Sequence, residues 1–149
     1  MDAVDLKILR VLKKNARISY LNIGKAVNLS TSAVIERVKR LEKSGAISAY
    51  TAIINGTAFD KELTALMFIS LESPRFNDGF LKFVELEPDI LECHYLTGNY
   101  DYMLKIVTQN PSTLELLLNK IKSQPGIIKT YTNVVLKTIK NEYSITPGT

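Results

Sequence analysis

The chain is poor in the residues that most often carry out chemistry in proteins. Its 149 residues include one cysteine, one histidine and no tryptophan. Cys93 without a partner excludes an internal disulfide framework and suits a reducing cytoplasm. Cys93 and His94 are neighbours on a predicted strand, so their side chains point to opposite faces and cannot form a nucleophile–base pair. One cysteine and one histidine also cannot build a structural zinc site. We therefore expect no enzyme, no metal and no cofactor.

Long apolar runs and glycine-rich loops are absent as well. No segment approaches the length of a membrane span, and the N-terminus lacks the apolar region of a signal peptide. The seven glycines are scattered, so no phosphate-cradling loop is predicted. With 46% hydrophobic and 23% charged residues, the composition indicates a globular protein without a membrane partner.

Negative charge is scarce in the first third of the chain. Residues 1–54 hold ten Lys/Arg and four Asp/Glu, a net charge of +6, whereas residues 55–149 hold nine and eleven, a net charge of −2. A basic module joined to a slightly acidic one is typical of a DNA-binding head on a body with another role, with chance clustering as the alternative. Because Asn55-Gly56 is a strong turn signal, we predict a DNA-binding domain over 1–54, a wing or linker strand over about 46–60, and a second domain over 61–149.

The basic module has the pattern of a helix-turn-helix. A first helix is predicted over Val4–Lys14, with Asp2 as its cap. Ser19 then caps a short second helix, and Ser30 caps a third over Thr31–Ser44. A short capped helix with an apolar back and a polar front is what the DNA major groove admits, so double-stranded DNA is the first expected partner.

The third helix divides into an inner and an outer face. Val34, Val38 and Leu41 follow the spacing of one helical face and are predicted to pack inward. Since Arg37 lies outside that stripe, we expect its removal to reduce DNA affinity and leave the fold intact. The candidate DNA-binding residues, mostly polar or charged side chains of the outer face, are Ser30, Thr31, Ser32, Glu36, Arg37 and Arg40.

The second module contains an internal repeat. Pro88 recurs as Pro125, and the same offset of 37 residues maps the predicted strand Leu63–Leu71 onto Tyr100–Thr108. Each half is predicted as strand, helix, turn, strand, and two such halves in tandem make a ferredoxin-like βαββαβ domain. The predicted fold class is therefore α+β, a winged helix-turn-helix joined to a ferredoxin-like domain.

The first strand of that domain is apolar on both faces. Leu66 and Phe68 point one way, whereas Met67 and Ile69 point the other. Two helices can cover only one face of a four-stranded sheet, so the other face is expected to be covered by a second subunit. The alternative is a strand that is merely central and mildly apolar.

One loop offers the groups needed to bind an amino acid. Gly98 and Asn99 tolerate positive φ and can expose N–H groups to a carboxylate, Asp101 can receive an ammonium group, and Tyr100 can form a wall. The alternative is a tight hairpin turn whose Asp101 is satisfied within the chain. The candidate effector-binding residues are Gly98, Asn99, Tyr100 and Asp101, with Thr132 on the last strand.

These residues in their order resemble the Lrp/AsnC family of feast-or-famine transcription regulators. The resemblance covers nearly the whole chain and includes Asp2, Asp5, Ile8, Leu29-Ser30, Arg37-Val38, Gly45, Gly98-Asn99-Tyr100-Asp101 and Thr132. It implies a winged helix-turn-helix with a RAM-type ligand-binding domain, and dimers that assemble into rings, typically octamers. It also implies an amino-acid effector between dimers near Gly98–Asp101. DNA binding by a dimer is predicted to require a palindromic operator, and the expected location is the cytoplasm of a prokaryote, in association with the nucleoid.

Three functions fit these observations to different degrees. The leading one is a sequence-specific DNA-binding transcription regulator that responds to an amino acid or a related metabolite. The second is a DNA-organising protein of the same fold that works without an effector. The third is a small-molecule binding module without a role on DNA, against which the basic head argues.

Overall fold

The computed structural model describes Met1–Gly148, and in that part of the chain it contains five α-helices and four β-strands. They form two units. The first, which we call the head, comprises residues 1–53 together with 140–148, and the second, the sheet domain, comprises residues 54–139. Each unit has its own apolar core.

The head is built from three helices, α1 (Ala3–Lys14), α2 (Tyr20–Val27) and α3 (Thr31–Lys43). Their predicted caps are confirmed, because the side chains of Asp2, Ser19 and Ser30 each accept a hydrogen bond from the first turn of the helix that follows. The core that the helices enclose includes the predicted stripe of α3 and consists of Ile8, Leu12, Ile23, Val27, Val34, Val38 and Leu41.

The turn between α2 and α3 depends on two residues with unusual backbone requirements. Asn28 adopts the left-handed conformation with φ of 58°, which asparagine tolerates better than most residues. Gly24 lets the chain fold back closely, since a Cβ there would lie 2.6 Å from the carbonyl oxygen of Leu29. The tight turn thus brings the start of α3 against α2.

The prediction of a wing or linker strand over about 46–60 is wrong for the described residues. The stretch 46–55 forms no strand, and a short 3₁₀ turn follows at Gly56–Phe59. A strand requires a neighbour for its N–H and C=O groups, and no segment of the described chain pairs with this one. High β-propensity alone therefore does not produce a strand here.

The C-terminal segment lies on the head, whereas the sequence assigned it to the second domain. Arg10 Nε of α1 donates to the carbonyl oxygen of Pro147 at 3.0 Å, and Lys13 Nζ pairs with Glu142 at 3.0 Å. These polar contacts join residues far apart in sequence, which local pattern does not reveal.

The sheet domain has the predicted βαββαβ order. Its elements are β1 (Leu63–Leu71), α4 (Asn77–Leu86), β2 (Ile90–Tyr95), β3 (Tyr102–Thr108), α5 (Pro111–Lys122) and β4 (Ile127–Val134). The strands are antiparallel in the order β2-β3-β1-β4. The α+β class and the ferredoxin-like arrangement are confirmed.

The core of this domain lies on one face of the sheet. Met67 and Ile69 of β1 are fully buried against Phe80 of α4 and Ile121 of α5. Leu66 and Phe68 alternate with them, so they lie on the opposite face, where no helix of the described chain covers them. We call this second surface the open face.

Candidate nucleic-acid interface and ligand site

The outer face of α3 is polar and exposed. Ser32 and Glu36, both predicted candidates, are exposed there, and so are Lys39 and Lys43, which were not named as candidates. The four positions follow the spacing of a single helical face, opposite the buried stripe. The two lysines can be predicted from the sequence, because the helical periodicity of the outer face continues through the last turn of α3.

Ser30 and Thr31 lie at the start of α3, and Ser30 caps the helix. Ser30 Oγ accepts from the N–H of Ala33 at 3.3 Å and lies 3.1 Å from Ser32 Oγ. Thr31 is half-buried. Both lie at the N-terminal end of the helix, the end that reads base edges in helix-turn-helix proteins.

Arg37 occupies a different place from the one the sequence suggested. Its Nη1 donates to Asp2 Oδ2 at 2.7 Å and to Asp5 Oδ1 at 2.6 Å, and Asp5 is only 1% exposed. Arg40 Nη2 also contacts Asp5, at 3.2 Å. The expectation that replacing Arg37 by alanine leaves the fold intact is therefore corrected, because the change removes the closest counter-charge of a buried carboxylate.

The ion pairs shift the pKa values of their members. A hydrogen bond from the Asp5 N–H, together with the Arg37 guanidinium, lowers the pKa of Asp2 to about 2. Burial raises the pKa of Asp5, but hydrogen bonds from the Asp2 N–H and from Arg37 outweigh it, and the pKa is below its ordinary value. Hydrogen bonds to Asp2 and Asp5 raise the pKa of Arg37. All three groups are charged at neutral pH.

The predicted effector loop is a tight connection between β2 and β3. Gly98 has φ of 115°, in the region that favours glycine. Within the described chain, the N–H groups of Gly98 and Asn99 donate to no protein acceptor. Asp101 is held on both sides, since its N–H donates to Ile69 O at 2.8 Å and its Oδ2 accepts from the Leu71 N–H at 2.7 Å. One carboxylate oxygen of Asp101 thus serves the turn.

Tyr100 does not share a pocket with Asp101. Its ring lies 5.8 Å from the ring of Phe68 and 6.5 Å from that of Tyr131, and Lys129 Nζ lies 4.7 Å above it. These partners belong to the open face. The structure therefore places Tyr100 in an aromatic cluster on that face, not as a wall beside Asp101.

Asp101 instead lines a small cavity beneath the β1–α4 connection. The cavity has a volume of about 140 Å³ and is also lined by Glu72, Ser73, Asn77 and Tyr95. Ser73 Oγ is buried there without a hydrogen-bond partner in the described chain. A buried hydroxyl in this state is usually satisfied by water or a ligand, so the cavity is polar and accessible to a small group.

Thr132 lies at a different location from the loop. Thr132 is on β4, where it pairs with Met67 of β1, and β1 separates it from β3. Val134, two residues further on the same face of β4, lines a groove of about 390 Å³ along α5. The groove combines apolar side chains with Glu115, Asn119 and Lys122. The predicted effector residues are thus split between two places in one chain.

Both units have counterparts among known proteins. Residues 1–42 match the AsnC-type helix-turn-helix domain, and residues 64–145 match the Lrp/AsnC ligand binding domain. The chain belongs to the Lrp/AsnC family. It is 36% identical over 143 residues to the leucine-responsive regulatory protein of Escherichia coli, which covers 94% of this chain and 87% of that protein. It is 34% identical over 140 residues to the HTH-type transcriptional regulator FL11 of Pyrococcus furiosus, with 94% and 92% covered.

The same similarity holds in three dimensions. The crystal structure of the transcriptional regulator NMB0573 from Neisseria meningitidis, a complex with L-Met, matches with a TM-score of 0.93. The identity is 29%, and the match covers 97% of this chain and 96% of that one. The Lrp/AsnC chain described here is a DNA-binding transcription regulator, as its relatives are.

Two further features are absent from the described range Met1–Gly148, a membrane-spanning helix and a metal-binding cluster. No helix in this range is long and apolar enough to cross a membrane. No cluster of three or more His, Cys, Asp or Glu side chains in the same range is arranged to hold a metal ion.

Proposed function

We propose that this Lrp/AsnC protein binds palindromic operators as a dimer, with the outer face of α3 in the major groove, and that an amino acid regulates its assembly. The observation that carries the DNA-binding part is the division of α3. Its inner face completes the core of the head, whereas its outer face presents hydrogen-bonding and cationic side chains that serve no packing role.

The open face supports the dimer. Leu66 and Phe68 are joined there by Met103 and Tyr131, which pair with Phe68 from the two neighbouring strands. A soluble protein rarely leaves such a contiguous apolar and aromatic surface in water. A second copy presenting the same surface would cover it by two-fold symmetry, and the two heads would then meet two half-sites of a palindrome.

The split of the effector residues supports a site shared between subunits. Within one chain the Gly98–Asp101 loop and Thr132 are separated by strand β1, which favours a site that takes the loop from one copy and Thr132 from another. This is consistent with a ring of dimers, typically an octamer in this family. A ligand that binds one assembly more tightly than another shifts their populations, and with them the spacing of the heads.

An amino acid is the ligand class that the chemistry fits best. A zwitterion needs a donor set for its carboxylate and an anion for its ammonium group, and the loop offers free N–H groups next to Asp101. Lys122 and Glu115 offer the same pair of charges in the groove along α5. The relative from Neisseria meningitidis binds L-Met, which makes apolar amino acids the first ones to test.

Calorimetry with a panel of amino acids tests the effector. We expect a small set to bind wild type, and Asp101→Asn to bind much more weakly while keeping an oxygen that can accept from the Leu71 N–H. Glu62→Gln, an exposed carboxylate outside both cavities, is the matched control. If no amino acid binds, or if Asp101→Asn binds as well as wild type, the loop is only a turn, and the effector-independent DNA-organising function is favoured.

Binding to DNA duplexes over a range of salt concentrations tests the first part of the proposal. Because cationic side chains contact phosphates, affinity is expected to fall steeply as salt rises. Footprinting should show two half-sites separated by one helical turn, roughly 34–36 Å, or a multiple of it. A single short asymmetric site would contradict binding as a symmetric dimer. Association with the nucleoid follows from the same property.

A further inference from the structure

We propose that Arg37 is a positioning residue for DNA binding. Through Asp2 and Asp5 it holds helix α3 on helix α1, and it does not itself contact DNA. The cationic contacts of α3 come from Lys39 and Lys43 on its outer face. This inference rests on the DNA-binding role proposed above.

At the start of α1, Asp2 and Asp5 each have one carboxylate oxygen that accepts no backbone N–H, and Arg37 is the closest donor to both. Asp2 Oδ1 accepts from the N–H groups of Val4 and Asp5 at 3.0 and 2.9 Å, and Asp5 Oδ2 accepts from the Asp2 N–H at 3.0 Å. The remaining oxygens, Asp2 Oδ2 and Asp5 Oδ1, both accept from Arg37 Nη1. The helix cap and the guanidinium therefore form one closed network that links the first turn of α1 to the middle of α3.

Because Asp5 is buried, it is unfavourable for Arg37 to leave this network. The side chain of Asp5 is 2% exposed, and a buried charge without a close counter-charge is strongly unfavourable. Arg40 offers a second cation, but its side chain is 63% exposed and its contacts to Asp5 are longer, at 3.2 Å. If Arg37 turned toward DNA, Asp5 would keep only the weaker partner.

The helical phase separates Arg37 from the outer face. At about 100° per residue, Arg37 lies about 40° from Leu41 and about 60° from Val34, on the border of the buried stripe. Lys39 and Lys43 lie about 140–180° from Val34, and both are exposed. Neither lysine forms an ion pair within the described chain, so both are available for phosphates.

Neutralising Asp2 or Asp5 distinguishes a phosphate-contacting Arg37 from a positioning Arg37, because DNA affinity rises in the first case and falls in the second. If Arg37 contacts phosphate, neutralising Asp2 or Asp5 releases it and removes a repulsive charge, so DNA affinity rises. If Arg37 positions α3, the same changes loosen the helix, and affinity falls although the head has become more positive. Asp2→Asn is the milder variant, because asparagine caps a helix as well as aspartate does.

The experiment measures affinity for a mixed-sequence DNA duplex longer than two helical turns, well below each variant's melting temperature. Asp2→Asn, Asp5→Asn and Glu42→Gln each remove one negative charge from the head, and Glu42, which is exposed on α3, serves as the control. We expect Asp5→Asn to weaken binding by between about twofold and a hundredfold, the range of coupling between contacting residues. Asp2→Asn should weaken it less, and Glu42→Gln should leave it unchanged or slightly stronger.

The salt dependence identifies the residues that contact phosphate. Lys39→Ala should reduce the slope of log affinity against log salt by about one, the effect of one lost phosphate contact. Tighter binding by Asp2→Asn and Asp5→Asn would overturn the proposal and assign Arg37 to the DNA. Lower melting temperatures with unchanged affinity would also overturn it and leave Arg37 a purely structural role. Wild type that shows no salt-dependent binding would instead refute the DNA-binding function itself.

Discussion

The head and the sheet domain bury their apolar side chains in different ways. In the head, three helices enclose a small core, and the surface of α3 that remains is hydrogen-bonding and cationic. In the sheet domain, two helices cover one face, and the other face keeps Phe68, Tyr100 and Tyr131 together in an aromatic cluster.

This difference predicts different kinds of partner for the two units. The outer face of α3 has no apolar surface to hide and suits a polyanion, whose attraction is electrostatic and sensitive to salt. The open face exposes apolar and aromatic side chains, and under the proposed function its partner is a second copy of the chain, whose attraction comes from excluding water. Substitutions on the two faces of β1, and in the two units, should therefore impair different properties of the protein.

The largest expected effect comes from a charge on the covered face of β1. Met67 is fully buried beneath the helices, so Met67→Lys places a charge without a partner in the core. We expect the free energy of unfolding to fall by more than about 4 kcal/mol, measured by urea denaturation. Met67→Leu, which conserves volume, should cost less than about 1.5 kcal/mol. A stable Met67→Lys protein would show that the two faces of the sheet have been assigned the wrong way round.

A charge on the open face should leave the fold and change the assembly. Phe68→Lys is expected to keep the circular dichroism spectrum of wild type and to shift sedimentation toward the monomer, because its charge would be trapped between two copies. Leu86→Lys makes the same change on α4, where Leu86 is 76% exposed, and should leave the mass unchanged. A dimer that withstands Phe68→Lys would place the interface elsewhere.

Acid should destabilise the head through its ion pairs. The pKa of Asp2 is lowered from 3.8 to about 2, and that of Asp5 is lowered too, so their contribution to stability is present above about pH 4. For Asp2 this contribution is lost as the pH falls from about 4 through 2, because its carboxylate becomes protonated there. Thermal unfolding across this range should show the loss for wild type, and Arg37→Met should flatten it. An equal loss in both proteins would assign the acid sensitivity to other carboxylates.

The smallest effect is expected where the C-terminal segment lies on α1. Lys13→Ala removes the ion pair with Glu142 and the hydrogen bond to Thr146 Oγ1, and it should lower the melting temperature only slightly, because exposed ion pairs contribute little to stability. Lys14→Ala, which removes an exposed lysine without an ion pair in the described chain, is the control. The difference in melting temperature between the two variants isolates the contact. A difference of many degrees would mean that the C-terminal segment stabilises the head far more than an exposed pair can.

Local patterns predicted most of the fold and less of the sites. The spacing of Val34, Val38 and Leu41 identified the inner face of α3, and alternation along β1 identified its two faces, because side-chain direction follows from backbone geometry. The wing was predicted from β-propensity and is absent, since a strand also needs a pairing partner. Tyr100 was grouped with Asp101 because they are adjacent, yet adjacent residues in extended chain point to opposite sides.

The amino-acid sequence by itself determined the order of the elements, the caps of the three head helices and the inner faces of α3 and β1, because periodicity and capping are properties of short segments. Tertiary structure decided where the charges went. It joined Arg37 to Asp2 and Asp5, more than thirty residues away, and it separated Thr132 from the Gly98–Asp101 loop by a strand. A charged side chain finds its partner only after the helices have packed, because electrostatic contacts depend on distance in space and not on spacing along the chain.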